Sequence, residues 1–171
     1  MELGHDLDIR VATPDDIDGI MRLAISACEE NAFVPTSPER LLGEIWPALH
    51  LDRGLVGLIG SDKENPEGIV LLKIGKMWYS NQDVLEEKAI FIHPEYRSAK
   101  GGRAARLCEF SKRVADKLGI PLIIGVLSNS RTEAKVKMYQ RQFGNSAGAF
   151  FLYNAHTGMK NSEKSISAVA E

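Results

Sequence analysis

The sequence predicts a mixed α/β domain in which helices cover a central, mostly antiparallel sheet. Three observations lead there. Apolar residues recur at helical spacing in four stretches, alternating or wholly apolar runs lie between them, and the resulting order is β-α-α-β-β-β-α-β-α-β. Strand runs joined by short turns imply antiparallel hairpins, and the later β-α-β unit implies a parallel crossover.

Residues 7–12 alternate apolar and polar side chains as a half-buried strand does. Thr13, Pro14, Asp15 and Asp16 then form a helix start, with a capping hydroxyl, a proline in the first turn and two acids near the positive end of the dipole. The helix runs to about Cys28, with Ile17, Ile20, Met21, Ala24 and Cys28 on one face. Pro35 and Pro38 bracket a break, and a second helix covers about 38–49, with Pro47 near its end. Residues 54–60 and 68–79 read as strands joined by the polar turn 61–67, and 84–93 as a fourth strand stopped by Pro94. A helix from about Gly102 to Leu118 carries Leu107, Phe110, Val114 and Leu118 on one stripe, and Gly119 ends it. Residues 120–127 are almost wholly apolar, as expected of a strand buried on both faces. A last helix at about 131–142 and a last strand at 147–154 follow. The expected domain is residues 1–156, with 157–171 a Ser-, Lys- and Glu-rich tail expected to be mobile.

A chain of 171 residues, 44% of them apolar, is long enough for one domain with a substantial core. Its net charge of −2 supplies no broad attraction to nucleic acid or an anionic membrane, so any positive site must be local. Cys28 and Cys108 sit in helical stretches at a spacing that fits no metal or redox motif, and are expected to be reduced thiols in or near the core. No metal is expected. No apolar run approaches the ~20 residues of a membrane span, and the first ten residues lack the order of a secretion signal, so the expected location is the cytoplasm.

The segment 90–107 carries the most chemistry: a strand, a proline stop, and a two-glycine loop feeding directly into a helix. Such a loop points free backbone N–H groups and the positive helix end at one place, which suits a phosphate or pyrophosphate. Gly101 and Gly102 permit close approach of the backbone, and Arg97, Lys100 and Arg103 add charge. A plain βα turn with a basic rim is the other reading. The segment contains neither G-x-x-x-x-G-K-[ST] nor G-x-G-x-x-G, which excludes a P-loop and a dinucleotide fingerprint.

Ile92-His93-Pro94-Glu95-Tyr96-Arg97, followed by the glycine loop and a helix, resembles the coenzyme A signature of the GNAT N-acetyltransferases. The family's Arg/Gln-x-x-Gly-x-Gly/Ala pattern falls on Arg97-Ser98-Ala99-Lys100-Gly101-Gly102, with Lys100 at the first glycine position. The later run, a buried strand, a helix containing Tyr139-Gln140-Arg141-Gln142-Phe143-Gly144 and a final strand, is similar to the family's second half, with Thr132 where an asparagine often stands and Asn129 three residues earlier.

The resemblance implies a cleft where the fourth and fifth strands splay apart, holding acetyl-CoA as cosubstrate. It implies main-chain contacts at Phe91 and Ile92, pyrophosphate binding by the amides of Arg97, Ser98, Ala99, Lys100, Gly101, Gly102, Arg103 and Ala104, and further cofactor contacts at Asn129 and Thr132. Direct attack by a primary amine of a small molecule or peptide follows, with Tyr139 the candidate general acid for the leaving thiolate. Glu86 and Glu87 lie on opposite faces of the fourth strand, and a bulge there would change which one faces the cleft. The alternatives for each are a general base and a solvated surface acid. Glu29 and Glu30 could attract a cationic acceptor or form an acidic pair in water, and a homodimer is compatible with the family. The rival reading is a catalytically weak acyl-CoA-binding or regulatory module of the same fold.

Overall fold

The computed structural model describes residues 9–97, 102–155 and 165–169. Strand β1 (Ile9–Val11) leads through a 3-10 turn at Pro14–Asp16 into α1 (Ile17–Asn31). The bend is held by Asp16, whose buried carboxylate accepts two hydrogen bonds from Arg10 at 2.6 and 2.7 Å and one from the Thr13 amide at 2.8 Å. Helix α2 (Pro38–Leu49) begins where Ser37 accepts the Arg40 amide and Pro38 presets the first turn. Pro47 sits within its last turn.

Strands β2 (Gly54–Ile59), β3 (Gly68–Lys76) and β4 (Asp83–Ile92) form an antiparallel meander, helix α3 (Arg103–Leu118) follows, and β5 (Leu122–Ile123) returns parallel to β4. The sheet order is β1-β2-β3-β4-β5, with β1 antiparallel to β2. Helix α4 (Thr132–Phe143) completes the principal elements. This is a five-stranded mixed sheet flanked by helices, as expected. Strand β3 stops at Lys76, and Trp78 and Tyr79, expected to end it, stand exposed in the following turn with their rings edge to face.

Alternation along the strands divides the core into two layers. Val56, Leu58, Ile69 and Leu71 point toward Ile20 and Leu23 of α1 and Ile45, Ala48 and Leu49 of α2. Ile59, Val70, Leu72 and Leu85 point the other way, onto Leu107, Phe110 and Val114 of α3. A side chain at Gly57 would place its Cβ 2.6 Å from the Phe110 ring, so the bare Cα seats that ring. Leu118, expected on the buried stripe, is 46% exposed because it lies in the last turn, beyond the sheet.

Two expectations fail at the C-terminal side. Residues 120–127 are strand only at Leu122–Ile123, and Ile123 and Leu127 are exposed rather than buried on both faces. Beyond Ile123 this segment has parted from β4, and among the described residues nothing pairs with its outer edge. Residues 147–154 form no strand: they leave α4 at Gly144 and are exposed throughout, without a sheet edge to complete their hydrogen bonds. Of the expected tail, 156–164, 170 and 171 lie outside the described residues, and Ile166–Val169 form a 3-10 turn.

Candidate active site

The site begins with a divergence. Strand β4 is paired with β3 along its whole length, but with β5 only at Leu85↔Leu122 and Glu86↔Ile123. From Glu87 onward the other edge of β4 faces a cleft of about 400 Å³. One wall is Ile90, Phe91 and Ile92; Gly102, Arg103, Ala104 and Ala105 form one end; Ala134, Met138 and Tyr139 of α4 form the opposite wall; Glu30 and Asn31 close it from α1. Arg97, Arg131, Lys135 and Arg141 also reach the lining, so the cleft is locally cationic although the chain is not.

At the cleft's end the chain enters α3 through Gly102, at φ 53° and ψ 50°, a left-handed conformation that favours glycine. No side chain caps α3. The first-turn amides are therefore available to an anion, supported by the helix dipole. The Arg103 side chain turns toward Glu67, donating from Nε at 2.7 Å, and stacks over Tyr96 at 4.8 Å; its Nη1 is buried without a hydrogen-bond partner. An anion beside these amides would offer that guanidinium an acceptor, so the residues present fit a phosphorylated ligand.

Deeper in the cleft, an extra residue interrupts the β3–β4 register: Leu71 pairs with Ala89 and Leu72 with Glu87, leaving Lys88 bulged. Glu86 lies beside Gly75, where an added Cβ would strike its carboxylate, and pairs with Lys88 at 3.0 Å. Glu87 instead points to where the chain after β5 departs, with its Oε2 3.4 Å from the Gly125 amide. Loss of water pushes the Glu87 carboxyl up to about 7, against smaller opposing effects of the Gly125 amide and Lys88. Burial, together with the charge of Glu87, raises the Tyr139 phenol well above its ordinary value. The same two causes push the Cys108 thiol up to about 12. The three groups thus form one electrostatic cluster.

No protein-family model matches the chain. Over 120 residues, 70% of its length, it is 26% identical to an amino-acid acetyltransferase of Mannheimia succiniciproducens, and it spans only 24% of that relative. Among solved structures, an AAC(6')-Iy in complex with a bisubstrate analogue of coenzyme A superimposes with a TM-score of 0.65 at 16% identity, over 87% of this chain and 97% of that one. An aminoglycoside 6'-N-acetyltransferase from Acinetobacter baumannii gives 0.62 at 16% identity, over 88% and 98%. An integron cassette protein from a salt-marsh metagenome gives 0.63 at 20% identity, over 86% and 90%. The chain has the GNAT acetyltransferase fold.

Within that GNAT fold, the structure brings Phe91, Ile92, Arg97, Gly102, Arg103, Ala104 and Tyr139 to one cleft. Ser98, Ala99, Lys100 and Gly101 lie outside the described residues. Arg97 does more than face an anion: Nη1 and Nη2 donate to Glu30 at 2.7 and 2.5 Å, Nε donates to the Ile92 carbonyl at 3.0 Å, and the guanidinium lies 4.9 Å from the Phe91 ring. This clamp holds the end of β4 to the end of α1. Arg97 in turn holds the Glu30 carboxyl below its ordinary value. Asn129 and Thr132 stand apart from the lining: Asn129 bonds the Ala32 and Asn31 carbonyls, and Thr132 donates to the Ser128 carbonyl. They fix the loop before α4 against α1.

Sequence reasoning missed Lys135. Its ammonium donates to Asn31 Oδ1 at 2.6 Å and Ser128 Oγ at 2.7 Å, and burial lowers its pKa. One signal was present, since Lys135 precedes Tyr139 by one helical turn and so shares its face. The pairing of Glu30 with Arg97, 67 residues apart, had no such local sign. Among the described residues no cluster of His, Cys, Asp and Glu could hold a metal ion, and no helix is long and apolar enough to cross a membrane.

Proposed function

We propose that the chain is an acetyl-CoA-dependent N-acetyltransferase acting on a primary amine of a small molecule or peptide, by direct attack in a ternary complex. One observation carries the reading. The β4 edge is released by β5 from Glu87 onward, beside a cleft that ends on the uncapped amides of α3. Acetyl-CoA supplies the acyl group as an activated thioester. Phe91 and Ile92 would align it through their main chain, and Gly102, Arg103 and Ala104 would hold its diphosphate at the helix start.

The acid–base roles follow from the environments of the side chains. An amine attacks only as the free base, so its ammonium must lose a proton, and a carboxylate with a pKa of about 7 is matched to that transfer near neutral pH. Glu87 takes this role and Glu86, paired with Lys88, does not. Tyr139, whose pKa is raised, keeps its phenolic proton and can deliver it to the departing thiolate. A thiol raised to about 12 is protonated at neutral pH, so Cys108 is a poor acyl carrier, which supports direct transfer.

The relatives' names speak of an amino acid in one case and aminoglycosides in others, and the amine is what these acceptors share. The test is release of free CoA thiol from acetyl-CoA across a panel of amino acids, aminoglycosides, polyamines and peptide amines. Turnover should rise with pH through about 7 as Glu87 loses its proton, and Glu87→Gln should abolish that limb. Engagement of the Arg97 guanidinium by Glu30 favours a second reading, an acyl-CoA-binding or regulatory module. Calorimetric binding of acetyl-CoA without thiol release on any amine would select it, and preference for ATP over CoA would reject both.

A further inference from the structure

Residues 144–154 are exposed without exception, yet they carry Phe150 at 76%, Phe151 at 95%, Leu152 at 49% and Tyr153 at 95% exposure. Phe151 and Tyr153 fall on one face of an extended chain, and Phe150 and Leu152 on the other. Apolar side chains on both faces are the pattern of a strand inside a sheet, not of a solvated loop. Gly144, at φ 86° and ψ −150°, ends α4 and leads this segment away. At the same time β5 is the last strand of the sheet, and the segment that continues it exposes Ile123 and Leu127. The chain therefore holds a strand without a sheet and a sheet edge without its next strand.

We infer that the two meet in trans: residues 147–154 of one copy add to the edge at 120–127 of a second copy, and the exchange is reciprocal. Two-fold closure satisfies both edges at once and leaves neither open to further growth. The area suffices. The three aromatic rings of each copy, six in the pair, would remove roughly 900–1,500 Å² from water before any aliphatic or backbone surface is counted. A stable interface buries about 1,600 Å² in all. The absence of any fully buried side chain in α4 agrees, since a helix beside an incomplete sheet has too little to pack against.

Light scattering coupled to size-exclusion chromatography should give twice the 18.9 kDa chain mass at micromolar concentration. Hydrogen exchange should then find the amides of 148–153 protected in the dimer and losing that protection on dilution. The paired change Phe151→Asp with Tyr153→Asp should weaken association by at least ~100-fold, by placing two carboxylates in an apolar seam. Because both side chains are exposed in the isolated chain, the circular dichroism of the variant should match that of the native protein. A monomeric native protein overturns the inference, whether 148–153 are protected by folding onto their own sheet or not. A dimer with those amides unprotected, or one that survives the paired change, also overturns it.

Discussion

Up to Ala115, the chain supplies every fully buried side chain among the described residues; from Asp116 to Ala155 it supplies none. The first region is a sandwich of α1 and α2, the meander and α3, closed by two apolar layers. The second holds β5, α4 and the aromatic segment, yet it brings Tyr139, Lys135 and the Gly125 amide to the site. Stability and chemistry are thus unevenly shared. The N-terminal part fixes the frame, while the C-terminal part lends reactive groups to it and finds its own packing elsewhere.

That contrast can be broken at its strongest point. Phe110→Ala removes the largest side chain of the α3 layer and should cost about 3–5 kcal/mol, read from the urea midpoint. A loss below about 1 kcal/mol would mean that the two regions do not differ as described. Next, Tyr139→Phe should cut turnover roughly 10²-fold while leaving the melting temperature nearly unchanged. Unchanged turnover removes the tyrosine's proton from the mechanism, and a large fall in melting temperature would make α4 part of the frame.

Asp16→Asn sharpens the N-terminal side. Arg10, with help from the Thr13 amide, holds the Asp16 carboxyl at about 2, below its ordinary 3.8. The folded state therefore binds this proton less readily than the unfolded chain, and the contribution is present above pH 3.8 and fades as pH falls toward 2. The substitution should cost about 2 kcal/mol at neutral pH and flatten the acid limb of the stability curve. The smallest effect is Phe151→Ala, which in dilute monomeric protein should change unfolding free energy by less than about 0.5 kcal/mol.

Legibility in the sequence followed the same division. Helix α2 was placed at its observed bounds, because Ser37 and Pro38 specify its start within a few residues. The meander was equally local: alternation and turn residues are short-range signals. The choice between Glu86 and Glu87 was not readable, since it rests on the bulge at Lys88, which depends on how β3 pairs. Arg97 was rightly singled out by its motif, but its acidic partner lies on a distant helix. The apolar runs at 120–127 and 147–154 correctly report side chains that need cover. They do not say which surface provides it, and a strand drawn within the same sheet was the wrong answer for the isolated chain.

The missing methyl at Gly57 reaches further than its own strand. With no Cβ there, the Phe110 ring settles against the sheet, and the spacing between α3 and β2 is set by one aromatic thickness. Phe110 lies seven residues after the first residue of α3, roughly 10 Å along the axis. Whatever height the ring imposes is passed by a stiff helix to the amides at its start. A single hydrogen in the second strand thereby acts as the shim that levels the anion cradle against the β4 edge.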